Sequence, residues 1–391
     1  MGKIVKRNRL SILEKFENKI SFFSNNIFFS LLIIGIIGLS IRILFLNVEI
    51  PMNSDNFRYF NVAINQMTGY SSEEFLLAND GWPYFLSLFF SITPSNNFMD
   101  YMALQKFLTI GISVLTIIPI YFLAKQFVSK QYAILSAAIF IFEPRIAQNS
   151  LFGITEPLYI MALTISLALI FYKKYYPQYI SFAILSFAIL IRSEGLFLLP
   201  IFFVIVILRS RKNKKIFFHL FIILIIITSI LLPVSIIRSE YLGNDGITAR
   251  ISGGIDHISK TSDGNQNQMF SIVINGIINM LKFLSWSQIP HLIFFVPVGL
   301  ILFIKTGDKY EKSLILVAIS ALIPTIYPYS FASDVRWIFP LYPIFCIMSV
   351  YSMRYFLQKT TKPKCITIVI FSLIIISSIF YLNWKEVDQS Q

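Results

Sequence analysis

Charged residues are scarce in this sequence. Asp, Glu, Lys and Arg make up 14% of the 391 residues, whereas 56% are hydrophobic. Soluble globular domains contain about 25% charged residues, so this composition argues against a soluble fold of ordinary size. Cysteine is almost absent: Cys346 and Cys365 fall inside or at the edge of apolar runs. They support neither a disulfide framework nor a cysteine-based metal site, and we interpret them as packing residues.

Several motifs of soluble enzymes are also missing. The chain contains no Walker loop, no Gly-x-Gly-x-x-Gly, no His-Glu-x-x-His and no Gly-x-Ser-x-Gly sequence. Their absence argues against nucleotide-dependent chemistry on the cytoplasmic side. The three histidines, at positions 219, 257 and 291, show no metal-ligand spacing. We therefore assign no metal ligand, although a single divalent ion held by carboxylates on the non-cytoplasmic side is compatible with the sequence.

Long apolar runs recur along the whole chain instead. Many of them reach the roughly 18–20 residues that cross a hydrocarbon core. We therefore predict an all-α polytopic membrane protein with about eleven transmembrane helices. The predicted spans are 27–46, 102–124, 129–144, 155–172, 177–191, 195–209, 216–236, 287–305, 312–329, 337–356 and 365–383.

The distribution of basic residues predicts the orientation. Residues 1–26 are basic and form no typical signal peptide, so we expect a cytoplasmic N-terminal segment followed by a retained first span. Most lysines and arginines, including the run 209–215, then fall on the cytoplasmic side. The net charge of +13 therefore reflects membrane orientation rather than nucleic-acid binding. We predict an integral multi-pass protein of the cell membrane, with the endoplasmic reticulum membrane as the alternative.

Most of the 20 acidic residues fall on the opposite, outer side. The positive-inside rule says little about Asp and Glu, so we expect the outer face to carry the function. Two outer loops are long, 47–101 and 237–286. Their stretches 84–92 and 272–286 are predicted to form helices in the membrane interface. The Gly- and Asn-rich stretch 241–268 is predicted to be mobile.

Asp55 is the first candidate site residue. It follows the first span, and Arg58 and Tyr59 would share its helical face at i+3 and i+4. A carboxylate beside such partners suits a general base that takes a proton from a hydroxyl, and the partners suit substrate binding. The alternative is that Asp55 only caps a helix.

A second group of candidates lies between the third and fourth spans. Glu156 precedes Pro157, which suits either a helix start or a functional carboxylate. Arg145 follows a proline at the outer boundary of the membrane. A cation at that position is expected to meet an anion, either Glu143 or a phosphate.

The remaining candidates interrupt or precede later spans. Arg192 and Glu194 break a long apolar stretch, either as a self-neutralising pair or as polar groups that point into a cavity. Arg336 stands at the start of the tenth predicted span. It is well placed to hold a lipid phosphate, the alternative being a generic phospholipid headgroup contact.

Six motifs in order along the chain resemble the GT-C superfamily of glycosyltransferases that use polyprenyl-phosphate-linked sugars, the group of the protein O-mannosyltransferases and the aminoarabinose transferases. They are Asp55-Asn-Phe-Arg-Tyr59 with Gly69, Gly81-Trp-Pro-Tyr-Phe-Leu, Leu123-Ala-Lys-Gln-Phe-Val, Thr155-Glu-Pro-Leu-Tyr159, Leu190-Ile-Arg-Ser-Glu-Gly with Pro200, and Arg336-Trp-Ile-Phe-Pro-Leu-Tyr-Pro343. The resemblance covers residues 27–345, which we assign to a catalytic domain. Residues 346–391 would form the C-terminal helices and a short tail.

The resemblance implies an activity and roles for the candidates. Asp55 would be the catalytic carboxylate of the first outer loop and Glu156 a second one, while Arg336 and Arg192 would hold the donor phosphate. The expected reaction transfers a hexosyl or pentosyl group, with inversion, from a polyprenyl-phosphate sugar to a hydroxyl of a lipid, glycan or protein acceptor. One departure is that protein mannosyltransferases typically have Asp-Glu where this chain has Asp55-Asn56.

Two other functions would also place charges at helix ends. One is a polytopic transporter and the other is a flippase or polymerase that handles lipid-linked or anionic substrates. A transporter explains poorly why the first outer loop is long and why most acids lie on one side. We therefore treat these functions as alternatives to the glycosyltransferase.

Overall fold

The computed structural model describes residues 26–48, 54–69, 79–172, 174–210, 215–243, 245–262, 266–308 and 311–390. Within these ranges the regular structure is entirely helical. The helices are α1 (Ile27–Leu44), α2 (Ser54–Thr68), α3 (Gly81–Ile92), α4 (Phe98–Leu115), α5 (Ile117–Ala124), α6 (Lys130–Ile141), α7 (Pro144–Asn149), α8 (Glu156–Ile170), α9 (Tyr175–Ile191), α10 (Leu199–Ser210), α11 (Ile216–Leu242), α12 (Ala249–Thr261), α13 (Gln266–Trp286), α14 (Leu292–Thr306), α15 (Ser313–Leu322), α16 (Ile326–Phe331), α17 (Tyr342–Gln358) and α18 (Pro363–Ser390). Short 3₁₀ segments lie at Ser193–Leu198, Ile323–Thr325 and Val335–Leu341.

The apolar helices match the predicted membrane architecture. In the described parts of the chain, seven helical segments are long and apolar enough to cross a membrane. They are Ile27–Leu44, Phe98–Ala124, Ile216–Glu240, Gln266–Trp286, Ser313–Phe331, Val335–Gln358 and Cys365–Trp384. Six of these coincide with predicted spans, and the other predicted spans coincide with the shorter helices α6, α8, α9, α10 and α14. The prediction of an all-α polytopic membrane protein is confirmed.

The second long loop differs from the prediction in two respects. The stretch 272–286, predicted to lie in the membrane interface, belongs to the helix Gln266–Trp286, which is long and apolar enough to cross a membrane. Residues 249–261, predicted to be mobile, form the helix α12. The Asp245 carboxylate accepts hydrogen bonds of 2.8–3.1 Å from the backbone N–H groups of Ile247, Thr248 and Ala249. These bonds fix the turn that leads into α12, and the bond from Ala249 satisfies the first free N–H group of the helix. The helix α13 extends the predicted 272–286 segment and packs against α16 and Val335–Leu341.

A buried arginine near the end of α1 ties that helix to the core. The Arg42 side chain has no exposed surface and donates to the Ser150 and Ser113 hydroxyls and to the Gly38 and Ile141 carbonyl oxygens, at 3.0–3.2 Å. A guanidinium among such acceptors is held in place, although no carboxylate of the described residues forms an ion pair with it. The sequence analysis did not single out Arg42.

Several helix ends meet at one end of the bundle. α8 starts there, α9 ends there and Val335–Leu341 leads there into α17. The start of α3 crosses the end of α9 at Gly81, where a Cβ atom would lie 2.7 Å from the Leu190 carbonyl oxygen. Only glycine permits this approach. The crossing brings α2 and α3 of the first long loop against the ends of α8 and α9.

Candidate functional site

A polar cavity of about 190 Å³ lies where these helix ends meet. Four elements contribute to it: α2, the start of α8, the end of α9 and Val335–Leu341. It is called the site cavity below. Its lining residues are Asp55, Tyr59, Asn79, Ile154, Thr155, Glu156, Ile191, Arg192, Arg336 and Trp337.

An ion pair between Asp55 and Arg336 forms one side of the site cavity. The Arg336 Nη2 atom lies 3.1 Å from Asp55 Oδ2 and 2.6 Å from Asp334 Oδ2. Asp334 also accepts a hydrogen bond from the Arg336 backbone N–H at 2.9 Å, which fixes the start of the 3₁₀ segment. The Asp55 side chain remains 45% exposed. This pair is therefore open to solvent and to a ligand.

A second ion-paired group closes the opposite side. Arg192 Nη1 lies 2.7 Å from Glu156 Oε1, and Arg192 Nη2 lies 3.1 Å from Glu194 Oε1. The Arg192 and Glu156 side chains are 10% and 5% exposed. Glu156 is the first residue of α8 and Arg192 follows the last residue of α9. The ends of two packed helices therefore hold this group in place.

The site cavity has equal numbers of acidic and basic residues in its lining, Asp55 and Glu156 with Arg192 and Arg336. Asp334 and Glu194 contact the two guanidinium groups from outside this lining. Among the described residues, no three His, Cys, Asp or Glu side chains lie close enough together to hold a metal ion.

Tyr59 and Asn79 complete the polar lining. Burial, and then the charge of Glu156, raise the pKa of the Tyr59 phenol, which therefore stays protonated and able to donate a hydrogen bond. Asn79 contacts three other parts of the chain. Its Nδ2 donates to the Gly246 carbonyl oxygen at 2.9 Å, and its Oδ1 accepts from the Ser193 backbone N–H at 3.4 Å.

An apolar groove adjoins the site cavity at Asn79. It has a volume of about 260 Å³ and runs between α3, α9 and α11. Leu88 on its wall is 63% exposed and Phe187 is 40% exposed, so the groove opens onto an apolar outer surface. At its polar end Arg238 forms a buried ion pair with Asp80. It is called the side groove below.

The structure brings five of the eight predicted site residues into the site cavity: Asp55, Tyr59, Glu156, Arg192 and Arg336. Glu194 lies outside the lining of the site cavity and forms an ion pair with Arg192. Arg58 is exposed on α2 and does not line the cavity. The helix α2 begins at Ser54, so Asp55 lies in its first turn and is not its N-cap residue.

Arg145 lies elsewhere, contrary to the expectation that it meets a phosphate or Glu143. Its guanidinium donates to the backbone carbonyl oxygens of Trp286 and Ile289 at 3.2 Å and to the Tyr381 hydroxyl at 3.4 Å. It also stacks over the Trp286 and Tyr381 rings. These contacts tie α7 to α13 and α18, and we propose no phosphate-binding role for Arg145.

Two lining residues, Asn79 and Trp337, were not among the predicted site residues. Trp337 belongs to the motif that begins at Arg336, and Asn79 lies two positions before Gly81-Trp82. Asn56, the departure from the mannosyltransferase pattern, is 2% exposed and donates its amide to the Phe152 carbonyl oxygen. It therefore supports the loop before α8 and does not enter the site cavity.

Comparison with known proteins gives matches of fold. No protein-family model and no curated protein sequence matches the chain. The oligosaccharyltransferase of Archaeoglobus fulgidus, as a complex with Zn and sulfate, is similar at 15% identity and a TM-score of 0.65, over 90% of this chain and 52% of that chain. The archaeal oligosaccharyltransferase AglB from Archaeoglobus fulgidus, in complex with an inhibitory peptide and a dolichol-phosphate, matches at 12% identity and a TM-score of 0.64. The match covers 90% of this chain and 55% of that chain. ArnT from Cupriavidus metallidurans, bound to undecaprenyl phosphate, matches at 11% identity and 0.56, over 83% and 60%.

At these identities the likeness establishes the fold alone. The chain shares the fold of the oligosaccharyltransferase and ArnT structures, which agrees with the resemblance noted for its six motifs. It spans only slightly more than half the length of the oligosaccharyltransferase chains it matches. Activities and partners of those proteins are therefore considered for this chain only as proposals.

Proposed function

We propose that this chain is a membrane glycosyltransferase that moves a hexose or pentose from a polyprenyl-phosphate donor to an acceptor hydroxyl on the outer face of the membrane. The observation that carries the proposal is the site cavity, where the open carboxylate of Asp55 pairs with Arg336 and a second arginine, Arg192, lies in the same lining. A base beside two cations suits a reaction in which a hydroxyl loses a proton and a phosphate leaves. The GT-C fold supports the same chemistry.

Arg336 and Arg192 are proposed to bind the donor phosphate. A planar guanidinium donates two parallel hydrogen bonds to phosphate oxygens, and both groups line the cavity. A phosphate at Arg336 competes with Asp55 for the Nη2 atom. Donor binding therefore releases the Asp55 carboxylate from its ion pair, and a carboxylate without a cationic partner is the stronger base.

The proposed reaction is a single displacement with inversion at the anomeric carbon. The acceptor oxygen forms a bond to that carbon while the bond to the phosphate oxygen breaks, and the electron pair leaves with the polyprenyl phosphate. Asp55 takes the proton of the acceptor hydroxyl. Arg192 and Arg336 offset the charge that grows on the departing phosphate. The protonated phenol of Tyr59 is placed to donate a hydrogen bond to a sugar or phosphate oxygen.

We assign Glu156 a different part from Asp55. Its carboxylate is buried and already accepts a 2.7 Å hydrogen bond from Arg192. A proton on Glu156 would remove one of the two carboxylate charges that the Arg192 guanidinium contacts. We therefore propose that Glu156 positions Arg192 and that Asp55 alone is the general base.

The side groove supplies a place for the donor's hydrocarbon chain. It meets the site cavity at Asn79, and its walls are largely apolar side chains of α3, α9 and α11. Burying a polyprenyl chain there removes apolar surface from water at one end while the phosphate reaches the two arginines at the other. The N-terminal orientation and the cell membrane remain predictions that fit this arrangement.

The transporter and flippase alternatives have less support. Transporters that alternate access bind substrate near the middle of the bilayer, at discontinuous helices. Here the charged groups gather where helices begin and end, at one end of the bundle. We found no observation that favours transport over transfer.

The proposal can be tested in membranes that contain the wild-type chain or Asp55→Asn, incubated with a panel of radiolabelled polyprenyl-phosphate sugars. Label is followed into lipid, glycan and protein fractions. Removal of a general base lowers rates by roughly 100- to 10,000-fold, which is the loss expected for Asp55→Asn. Asp100→Asn is the matched control, since Asp100 is an exposed acid of the same loop whose carboxylate accepts hydrogen bonds from the Ser95 and Asn97 side chains.

Each outcome is informative. Transfer by the wild type and by Asp100→Asn, but not by Asp55→Asn at equal expression, supports both the activity and the base. Transfer by Asp55→Asn at the wild-type rate would remove Asp55 as the base. Absence of transfer by the wild type with every donor would refute the proposed activity and leave transport as the better candidate.

A further inference from the structure

A second cleft lies behind the Arg192–Glu194 turn, on the side away from the side groove. It has a volume of about 150 Å³ and is formed by the 3₁₀ segment Ser193–Leu198, the helix α12 and the region of Ile323–Thr325. It is called the rear cleft below. Its lining residues are Ser193, Glu194, Phe197, Ile251, Gly254, Ile255, Ile258, Ile323, Pro324, Tyr327 and Pro328.

The rear cleft is lined mainly by apolar side chains, with Ser193, Glu194 and Tyr327 as its polar residues. α12 contributes Ile251, Ile255 and Ile258, which lie on one helical face at i, i+4 and i+7. Opposite them stand proline rings and the Tyr327 ring, which a Cβ atom on Gly254 would meet at 3.3 Å. Glu194 is the charged residue of the lining.

The rear cleft and the site cavity share a wall. Arg192 lines the site cavity, Glu194 lines the rear cleft, and their side chains are joined by the 3.1 Å ion pair. A molecule in the rear cleft is therefore separated from the proposed reaction centre by a single turn of chain. The hydrocarbon chain of the donor is assigned to the side groove, which meets the site cavity at Asn79.

The lining selects one kind of occupant. A peptide in the rear cleft would bring an N–H and a C=O group at every residue, and a glycan would bring several hydroxyls, whereas the isoleucine and proline walls leave such groups unsatisfied. A hydrocarbon chain needs no partners there. Ile255 and Ile323 are 58% and 48% exposed, so the mouth of the cleft is itself apolar.

We propose that the acceptor is a hydroxyl-bearing lipid and that the part of its chain next to the hydroxyl lies in the rear cleft. The Glu194 carboxylate accepts a hydrogen bond from a neutral or cationic polar group of this lipid, and it disfavours an anionic group at the same position. The hydroxyl then reaches past the Arg192–Glu194 turn to Asp55. This assignment rests on the proposed glycosyltransferase function and adds the class of its acceptor.

Two adjacent glycines of α12 allow a matched test. Gly254 is buried in the lining of the rear cleft, and a Cβ atom there would meet the Tyr327 ring at 3.3 Å, whereas a Cβ atom on Gly253 meets no atom within 4 Å. Gly254→Leu therefore narrows the cleft by crowding its Tyr327 wall, and Gly253→Leu makes the same change of residue type, with the same gain in helix propensity, in open space. Neither residue belongs to the proposed catalytic groups.

The experiment measures transfer by purified wild type and both variants from a radiolabelled polyprenyl-phosphate sugar. Vesicles of lipid extracted from the source membranes are the acceptor. Label should enter a lipid that chromatography separates from the polyprenyl-phosphate donor, and Gly254→Leu should need about tenfold more acceptor vesicles for half-maximal rate, a loss of about 1.4 kcal/mol in binding. Its half-saturating donor concentration should equal that of the wild type, and Gly253→Leu should behave as the wild type in both measurements.

Other outcomes overturn the assignment in distinguishable ways. Equal acceptor dependence of the two leucine variants, or label in protein or glycan rather than lipid, would refute the lipid acceptor and leave the glycosyltransferase standing. A changed half-saturating donor concentration for Gly254→Leu would indicate that the rear cleft binds the donor instead of the acceptor. Absence of transfer by the wild type would refute both. If Gly254→Leu does not fold, Ile258→Trp fills the same cleft from the next turn of the helix and carries the same expectations.

Discussion

The two sides of the site cavity use the same kinds of side chain in different surroundings. Arg336 and Asp55 are 27% and 45% exposed, whereas Arg192 and Glu156 are 10% and 5% exposed. The first pair is therefore open and the second is closed. An exposed ion pair contributes about 0–1 kcal/mol, while removing one partner of a buried pair costs about 3–5 kcal/mol. The open pair can therefore separate during a reaction cycle at a small cost in free energy, whereas separating the closed pair costs more.

The cause of this difference lies in the elements that carry the residues. Glu156 and Arg192 stand at the ends of α8 and α9, which pack against each other in the core. Asp55 stands in the first turn of α2, and Arg336 belongs to a 3₁₀ segment whose start is fixed by Asp334. We infer that the closed pair shapes the cavity and that the open pair reacts.

The largest effect on stability is expected for Arg192→Gln. This change leaves Glu156 and Glu194 without their cation in a buried site, so the free energy of unfolding should fall by about 3–5 kcal/mol. Thermal unfolding in detergent would report the loss as a lower midpoint. Arg192→Lys keeps the charge and should lose less. A wild-type midpoint for Arg192→Gln would show that the closed pair is not a structural element.

A smaller effect is expected for Glu156→Gln. Arg192 keeps Glu194 as its charged partner and the amide oxygen still accepts a hydrogen bond, so the loss in unfolding free energy should be about 1 kcal/mol. The transfer rate should fall less than roughly tenfold, because Asp55 remains as the base. Steady-state kinetics with a labelled donor measures this. A fall of 100-fold or more, on the order expected for loss of a base, would make Glu156 the base instead.

Arg336→Lys should affect the donor more than the fold. Lysine keeps the charge and loses the planar donors that a phosphate uses, so we expect the half-saturating donor concentration to rise about tenfold, or about 1.4 kcal/mol. The unfolding midpoint should stay close to that of the wild type, because the pair is partly exposed. A drop in midpoint with unchanged donor dependence would reverse the roles assigned to the two pairs.

Much of this arrangement could be predicted from the sequence. Apolar length locates the spans without knowledge of their partners, because the bilayer imposes it on each helix separately. Charge is costly inside a membrane, so the acids and arginines that interrupt apolar runs stand out as candidates. Asp55, Glu156, Arg192 and Arg336 were found in this way, and the order of the motifs identified the fold.

What the sequence left undetermined depends on contacts between distant residues. Arg145 has the same local signals as Arg192, but its partners are the carbonyl oxygens of Trp286 and Ile289, more than a hundred positions away. Arg42 is satisfied in the same manner by Ser113 and Ser150. Asn79 is an uncharged residue whose place at the junction of the cavity and the side groove appears only once α3 has crossed α9.

The smallest effect is expected for Arg58→Ala. This change tests whether an arginine close to the open pair in sequence contributes to donor binding without lining the site cavity. Arg58 is three residues from Asp55 on the same helix, yet it is exposed and does not line the cavity. Changes at such surface positions usually alter stability by no more than about 0.5 kcal/mol, so transfer and unfolding midpoint should both stay near the wild-type values. Arg336→Ala is the informative comparison, because it removes a cation of equal charge from inside the cavity. If Arg58→Ala raised the half-saturating donor concentration as strongly as Arg336→Ala, the donor would extend beyond the lining described here, and the open side of the site would include the outer face of α2.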